Sequence, residues 1–184
     1  MKIKEINHYL VMMTAFLLLV LASITFYHYN AVITEYGQEH SLVISVSTNF
    51  NHQLNCLAEN IYYEAGSESY QGKLAVAQVT MNRLNSGEFA DSVCGVVYQK
   101  VNRLCQFSWV CQPHPAPENL DAWNDSVVAA RSALTEPFVS ATLYKSNAMY
   151  YHADYVHPDW KLQRVATIGK HIFFKETDHT QQGI

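Results

Sequence analysis

Basic residues are scarce in this sequence, and that scarcity restricts the partners it can have. The 184 residues include 12 Lys and Arg against 16 Asp and Glu, a formal net charge of −4. Nucleic acids and anionic membrane surfaces attract proteins with a surplus of positive charge, so we expect no nucleic acid as a partner. Internal repeats and low-complexity tracts are also absent from the sequence. The length fits one domain with a short segment or two besides.

Compact metal-binding motifs are missing too. The sequence contains neither HExxH nor the close CxxC pairs that structural zinc sites use. His152, Asp154, His157 and His171 offer a zinc site of the kind an amidase would need, but their spacing does not match a tight zinc motif. We therefore expect no metal and no other cofactor.

A long apolar run without charged residues lies near the N-terminus. Leu10 to Tyr27 carries no charged residue, Lys2 and Lys4 precede it, and the next basic residue is Lys73. About 20 apolar residues span a bilayer as a helix, and flanking positive charge stays in the cytoplasm. Residues 1–28 are thus predicted to be a signal-anchor, with the rest of the chain in the periplasm of an inner-membrane, single-pass protein.

Two alternatives to an anchor remain open. A cleaved signal peptide would end near the small residues of "VLA" at 20–22 and release the chain to the cell wall. A buried helix of a soluble protein is the third possibility.

The four cysteines all follow this segment. An even number in an exported chain indicates a disulfide framework, with free buried thiols as the alternative. Three pairings are possible, and the sequence does not choose among them. The disulfide candidates are Cys56, Cys94, Cys105 and Cys111.

The rest of the chain is predicted to be α+β and mainly helical. Residues 29–53 are interpreted as a linker, with a short strand or extended segment at 41–47. Residues 54–176 form the main domain, and 177–184 a C-terminal tail. Apolar residues recur at helical spacing from Leu54 until a stop at Gly66.

Further helices and strands are predicted within the main domain. Tyr70 to Leu84 is apolar nearly all round, which is typical of a central buried helix. A short apolar element at 93–99 and a loop at 100–120 follow. A helix at 121–134, capped by Asp121 or Asn119, precedes short strands or a hairpin at 141–176.

One carboxylate falls on the buried face of the first helix. At about 100° per residue, Glu64 lies about 20° from Leu57 on the apolar stripe, whereas Glu59 lies about 200° away. Burial and the negative end of the helix dipole both raise the pKa of a carboxyl group. A glutamic acid held protonated near neutral pH can act as a general acid on a glycosidic oxygen. The structural alternative is a buried Glu paired with a backbone amide or an Arg.

Other candidate residues are chosen because of the sequence segments in which they lie. Asn82 and Arg83 place polar groups at the end of the apolar helix, close to Glu64. The cysteine-flanked loop carries polar and aromatic groups suited to a sugar-binding wall, although its aromatic residues could equally be core. The candidates in and beyond this loop are Gln106, Phe107, Ser108, Trp109, Tyr151 and His152.

Several motifs in order resemble the SleB-type cell wall hydrolases. They are "LAENIYYEAGSESYQGKLAVAQVTMNRL", "VCGVVYQ", "CQFSW", "YYHADYVHPDW" and "IGKHIFF". The resemblance implies a lysozyme-like catalytic domain that cleaves the peptidoglycan glycan strand between N-acetylmuramic acid and N-acetylglucosamine. It aligns Glu64 with the first acid of the family's E-A-R-G-E motif and Glu68 with the second. Peptidoglycan is then the expected partner, and we expect a monomer.

One departure from the family motif stands next to Glu64. Gly66 and Ser67 occupy the positions of the family's Arg and Gly. If that Arg holds a carboxylate or substrate group, its loss weakens the site and favours a membrane-tethered peptidoglycan-binding protein without activity. With Glu64 alone, an active enzyme would be a lytic transglycosylase if ionised Glu64 takes the proton of the muramic acid's 6-hydroxyl, and a muramidase if it activates water. A classical two-carboxylate glycosidase would need a second acid, for which Glu68, Asp154 and Asp159 are candidates. An N-acetylmuramoyl-L-alanine amidase is the remaining alternative.

Overall fold

The computed structural model of the protein describes residues 2–136 and 139–177. The chain divides into two compact units between Asn49 and Phe50. Residues 178–184 of the predicted C-terminal tail lie outside the described residues.

The described residues of the N-terminal unit are helical throughout, as part of helix α1. The expected strand or extended segment at 41–47 is therefore wrong. Ser41 and Ser45 donate hydrogen bonds to the carbonyls of Gln38 and Leu42 within the helix. Side chains that bond to the backbone of the preceding turn are compatible with a helix.

Part of α1 meets the requirements for a membrane span. Within the described residues, His8–Ala65 contains a window long and apolar enough to cross a bilayer, and none of that window is buried. Length and composition alone support this assignment, and a signal sequence would satisfy the same requirements.

The secondary structure elements follow in chain order. The helices are α1 (Lys2–Ala65), α2 (Tyr70–Ser86), α3 (Val93–Val97), α4 (Leu120–Thr135) and α5 (Ala141–Ser146), with a 3-10 helix at Ser108–Cys111. The strands are β1 (Lys100–Val101), β2 (Leu104–Cys105), β3 (Tyr150–Ala153), β4 (Gln163–Ile168) and β5 (His171–Lys175). The mainly helical class with a small sheet is confirmed.

Helix α2 is the central element of the second unit, as its apolar circumference predicted. Leu74 and Ala77 pack in a core shared with α1, α3 and α4. Ala75 and Val79 pack in a second core with Phe173 of β5. Because both sides of α2 are covered, polar groups along it are held inside the protein.

Two disulfides tie the loops to this core. Cys56 of α1 bonds to Cys94 of α3, and Cys105 bonds to Cys111. The disulfide framework is confirmed, and the fold decides the pairing. The second bridge encloses residues 106–110, so both ends of that segment are fixed.

The C-terminal region forms an antiparallel sheet in the order β3-β5-β4. Tyr151 pairs with Phe173 across β3 and β5, and β4 and β5 form the predicted hairpin. Residues 141–146 are helical rather than extended. This helix buries Leu143 and ends at Asn147, which takes the left-handed conformation with φ 53°.

Candidate active site

Glu64 lies in the last turn of α1, which ends at Ala65. The helix stops at Gly66, where a Cβ atom would lie 2.5 Å from the carbonyl oxygen of Tyr62. Glycine is needed there because of this close approach, and its φ is not left-handed. The helix stop thus occurs as predicted, without the left-handed conformation that a glycine after a helix often takes.

The buried Lys73 side chain caps the C-terminal end of α1. It is 3% exposed, and its Nζ donates to the carbonyl oxygens of Gly66 at 3.0 Å and Glu68 at 2.8 Å. A cation at the C-terminal end of a helix also offsets the negative end of the dipole. Lys73 therefore fixes the turn that follows Glu64.

We expect Lys73→Met to lower the free energy of unfolding by about 2–3 kcal/mol, since two carbonyls lose a charged donor. Urea unfolding of the variant measures this change. Lys161→Met removes an exposed lysine and serves as the control. Equal losses in the two variants would contradict the assigned role of Lys73.

A cavity of about 300 Å³ opens beside Glu64. Helices α1 and α2, the cysteine-bridged loop and strand β3 each contribute to its wall. The lining residues are Glu64, Arg83, Gln106, Phe107, Ser108, Tyr150, Tyr151, His152 and Trp160. Among these lining residues Glu64 is the only carboxylate.

The Glu64 carboxyl is half-buried at this cavity. Burial raises its pKa above the ordinary value, and the Tyr151 hydroxyl and Arg83 guanidinium each offset part of the rise. A raised pKa keeps more of the group protonated near neutral pH. The site therefore holds a carboxylic acid able to donate a proton into the cavity.

Arg83 is 5% exposed and is held between aromatic rings. Its Nε donates to the carbonyl oxygen of Met149 at 2.8 Å. Its Cζ lies 4.9 Å from the ring centroid of Phe107 and 5.1 Å from that of Phe89. These contacts fix a positive charge in the cavity wall next to Glu64.

Tyr151 sits behind Glu64 on β3. Its ring packs edge-on against His171 at 5.2 Å and tilted against Phe173 at 5.6 Å. Burial raises the pKa of Tyr151 well above its ordinary value. The hydroxyl therefore keeps its proton and remains a donor.

An aromatic wall surrounds His152 at the other side of the cavity. The His152 ring stacks on Phe174 at 5.0 Å and meets Trp160 edge-on at 5.4 Å. Trp160 remains 43% exposed, so part of its ring is free to cover the apolar face of a sugar.

The sequence reasoning missed two lining residues, Tyr150 and Trp160. Both flank His152 in the motif "YYHADYVHPDW". The run of aromatic residues around the chosen positions was the available signal for them.

Known proteins resemble this chain in both sequence and fold. A family model described as Cell Wall Hydrolase matches residues 67–174, more than half of the chain. This chain belongs to the SleB-type cell wall hydrolase family. Glu64 lies just before the matched range.

Two spore cortex-lytic enzymes are similar in sequence. That of Oceanobacillus iheyensis is 30% identical over 131 residues, which cover 67% of this chain and 42% of the relative. That of Bacillus subtilis is 29% identical over 127 residues, covering 67% and 37% respectively. The chain thus spans less than half the length of these curated relatives.

Two solved structures resemble the fold. The catalytic domain of the Bacillus cereus SleB protein has a TM-score of 0.51 at 27% identity, covering 68% of this chain and 91% of that one. The catalytic domain of the germination-specific lytic transglycosylase SleB from Bacillus anthracis has a TM-score of 0.51 at 28% identity, covering 67% and 93%.

Most of the predicted site residues of this family member meet at the cavity, but Asn82 does not line it. Asn82 is 3% exposed. Its Nδ2 donates to the carbonyl oxygens of Leu143 at 3.0 Å and Ala148 at 2.8 Å, and its Oδ1 accepts from Gln78. With its hydrogen-bonding groups used internally, Asn82 holds α5 against α2 instead of contacting a ligand.

Trp109 also lies in the interior and does not line the cavity. It is 7% exposed, and its Nε1 donates to Oδ1 of the buried Asn60 at 3.0 Å. Its ring stacks on Tyr63 at 4.6 Å. The core alternative is therefore the right one for Trp109. The same cysteine-bridged segment places Phe107 in the cavity wall.

Glu68 joins the turn after α1 to the hairpin and does not line the cavity. Its Oε2 accepts from the backbone N–H of Lys170 at 3.2 Å. Gly169 has φ 58°, and a Cβ there would collide with the Glu68 carboxylate. The left-handed conformation is the reason that glycine is favoured there, because the flexible Glu68 side chain can move away from a Cβ.

The remaining acidic candidates do not line the cavity. Asp154 and Asp159 are not among its lining residues. In the described part of the chain, three potential ligands converge at His52, Cys56 and Cys94, and the two cysteines are bonded to each other. The proposed amidase ligands 152, 154, 157 and 171 form no such group there.

Proposed function

We propose that this protein cleaves the glycan strand of peptidoglycan between N-acetylmuramic acid and N-acetylglucosamine, with Glu64 as the only acid–base group. One observation carries the proposal: a half-buried carboxyl with a raised pKa is the sole carboxylate lining the cavity. The surrounding chain matches the cell wall hydrolase family. The lysozyme-like fold implied by the resemblance belongs to the same proposal.

In the first step the Glu64 O–H proton passes to the glycosidic oxygen. The bond between that oxygen and the anomeric carbon breaks, and positive charge develops on the sugar ring. The oxygen leaves as a neutral hydroxyl, and Glu64 is left ionised. An acid in a partly dry cavity is suited to this transfer because burial raises its pKa and so keeps more of it protonated.

In the second step ionised Glu64 acts as the base. It takes the proton of the muramic acid's own 6-hydroxyl while O6 bonds to the anomeric carbon, which gives a 1,6-anhydro sugar. Two-carboxylate glycosidases use a second acid across the cleft, and the described cavity lining offers none. This favours a lytic transglycosylase over a muramidase, in line with the name of the Bacillus anthracis neighbour.

The cavity wall suits a sugar chain. Gln106 and Ser108 offer polar groups to sugar hydroxyls, while Trp160 and Tyr150 offer ring faces. We assign substrate binding to these residues together with Arg83.

The N-terminal helix gives the enzyme its place in the cell. An uncleaved α1 would hold the catalytic domain in the periplasm, next to its polymer substrate. Cleavage of the segment would instead release the domain into the wall.

Digestion of purified sacculi by the full chain tests the proposal through mass spectrometry of the soluble products. We expect muropeptides that end in 1,6-anhydromuramic acid. New reducing ends would identify a muramidase. New free amino termini, lost on adding a chelator, would identify an amidase. Sedimentation of the protein with sacculi and no released product would identify an inactive binder.

A further inference from the structure

Two hydrogen-bond donors beside Glu64 are buried without a partner. Arg83 Nη1 and Tyr151 Oη make no hydrogen bond of good geometry among the described residues, and His171 Nδ1 is the third buried side-chain atom in that condition. An unsatisfied buried donor costs free energy. Two of them at one cavity therefore call for a functional reason.

The two donors are fixed in place by their other contacts. Arg83 is held through its Nε bond to Met149 and by the rings of Phe89 and Phe107. Tyr151 is held by the rings around it on β5. Neither side chain can turn away to find another acceptor without breaking these contacts.

Glu64 is the carboxylate at the same cavity as both donors. It lines the same cavity as Arg83 and Tyr151, and each of them favours its ionised form. The guanidinium of Arg83 can only donate, and the protonated hydroxyl of Tyr151 has one hydrogen to donate. A protonated Glu64 carboxyl group is a weaker hydrogen-bond acceptor, whereas the ionised carboxylate can accept hydrogen bonds from both donors.

We propose that Tyr151 Oη and Arg83 Nη1 form a donor pair that receives the Glu64 carboxylate after it has given up its proton. The inference rests on the proposed function, in which one carboxyl serves first as acid and then as base. The cavity raises the pKa of Glu64, so its ionised form is disfavoured. Unless hydrogen bonds stabilise that ionised form, the second step is slow. Tyr151 and Arg83 are in this sense positioning residues.

Other titratable groups could influence the same carboxyl. Those lining the cavity with Glu64 lie on α2 and β3, and one on β5 contacts Tyr151 from behind. They are Arg83, Tyr150, Tyr151, His152 and His171.

Tyr151→Phe tests the pair, since it removes the hydroxyl and keeps the ring. We expect kcat to fall about 10- to 100-fold, the effect of one hydrogen bond to a charged group, with KM nearly unchanged. Loss of the donor raises the pKa of Glu64, so the alkaline limb of kcat/KM moves to higher pH. Tyr70→Phe, whose hydroxyl contacts Ser132 outside the cavity, should keep the wild-type profile.

A second variant and a direct titration complete the test. Arg83→Lys keeps the charge but loses Nη1, and should move the alkaline limb in the same direction. Carbon-13 NMR of Glu64 in the substrate-free protein, assigned against Glu64→Gln, follows the same pKa without any turnover. An unchanged Glu64 titration and pH profile in both variants would overturn the donor pair while leaving the proposed function intact. Absence of glycan products from the wild type would instead count against the proposed function.

Discussion

Glu64→Gln is expected to lower glycan release about a thousandfold, because it removes a group that the proposed reaction uses as both acid and base. Glutamine keeps the shape of the side chain and its carbonyl oxygen but has no transferable proton. Release of soluble muropeptides from sacculi, quantified against time, measures the loss. Binding to sacculi should persist, since the aromatic wall is unchanged.

The matched control for this variant is Glu59→Gln on the same helix. Glu59 lies outside the cavity, where it accepts a hydrogen bond from the Tyr98 hydroxyl. Glutamine retains an acceptor oxygen for that hydroxyl. Activity of Glu64→Gln equal to that of this control would refute the assignment of Glu64.

The stability of Glu64→Gln separates lost chemistry from lost fold. The folded-state pKa of Glu64 is raised, so the folded state favours the protonated form. Its contribution to stability is present below the unfolded pKa and is lost as the pH rises toward the folded value. At neutral pH the variant should therefore be as stable as the wild type or more so, and a higher melting temperature is the expected sign.

Asn82→Ala is expected to lower the free energy of unfolding by about 3 kcal/mol, the largest stability loss that we predict. The substitution leaves the carbonyls of Leu143 and Ala148 buried without a donor, and Gln78 loses an acceptor. A reduced midpoint in urea with an unchanged slope would show this effect.

Two comparisons make the Asn82 result specific. Asn124→Ala removes an exposed asparagine of α4 and should change stability little. Asn82→Ala that is still folded should retain KM for glycan strands, because Asn82 does not line the cavity. A variant with normal stability and a raised KM would restore Asn82 to the substrate site.

Local periodicity was sufficient for the longer helices of the main domain. The stop at Gly66 and the all-round apolar pattern of α2 depend on neighbours within a few residues, and both occur as predicted. The helix at 141–146 was missed since its six residues are too short for a periodic signal. The helical tract at 41–47 was missed because serine favours loops in general but also bonds within helices.

The candidate site was predictable only in part. Glu64 was found since its position on one turn of helix sets its direction. Trp109 and Phe107 have similar sequence surroundings and both pack in the core, yet only Phe107 also lines the cavity. The difference comes from Asn60, 49 residues away in the chain, whose amide holds the Trp109 indole.

The sequence by itself determined the cysteine-bearing, mainly helical domain, its family and the direction of Glu64, because each depends on composition, motif order or local helical geometry. Only the tertiary structure decided the cysteine pairing. It also decided that Asn82, Lys73 and Glu68 make internal hydrogen bonds, and that Tyr150 and Trp160 line the cavity. These features depend on which distant segments pack together. The type of a polar or aromatic residue does not reveal whether its side chain will be buried in the core or will line the cavity.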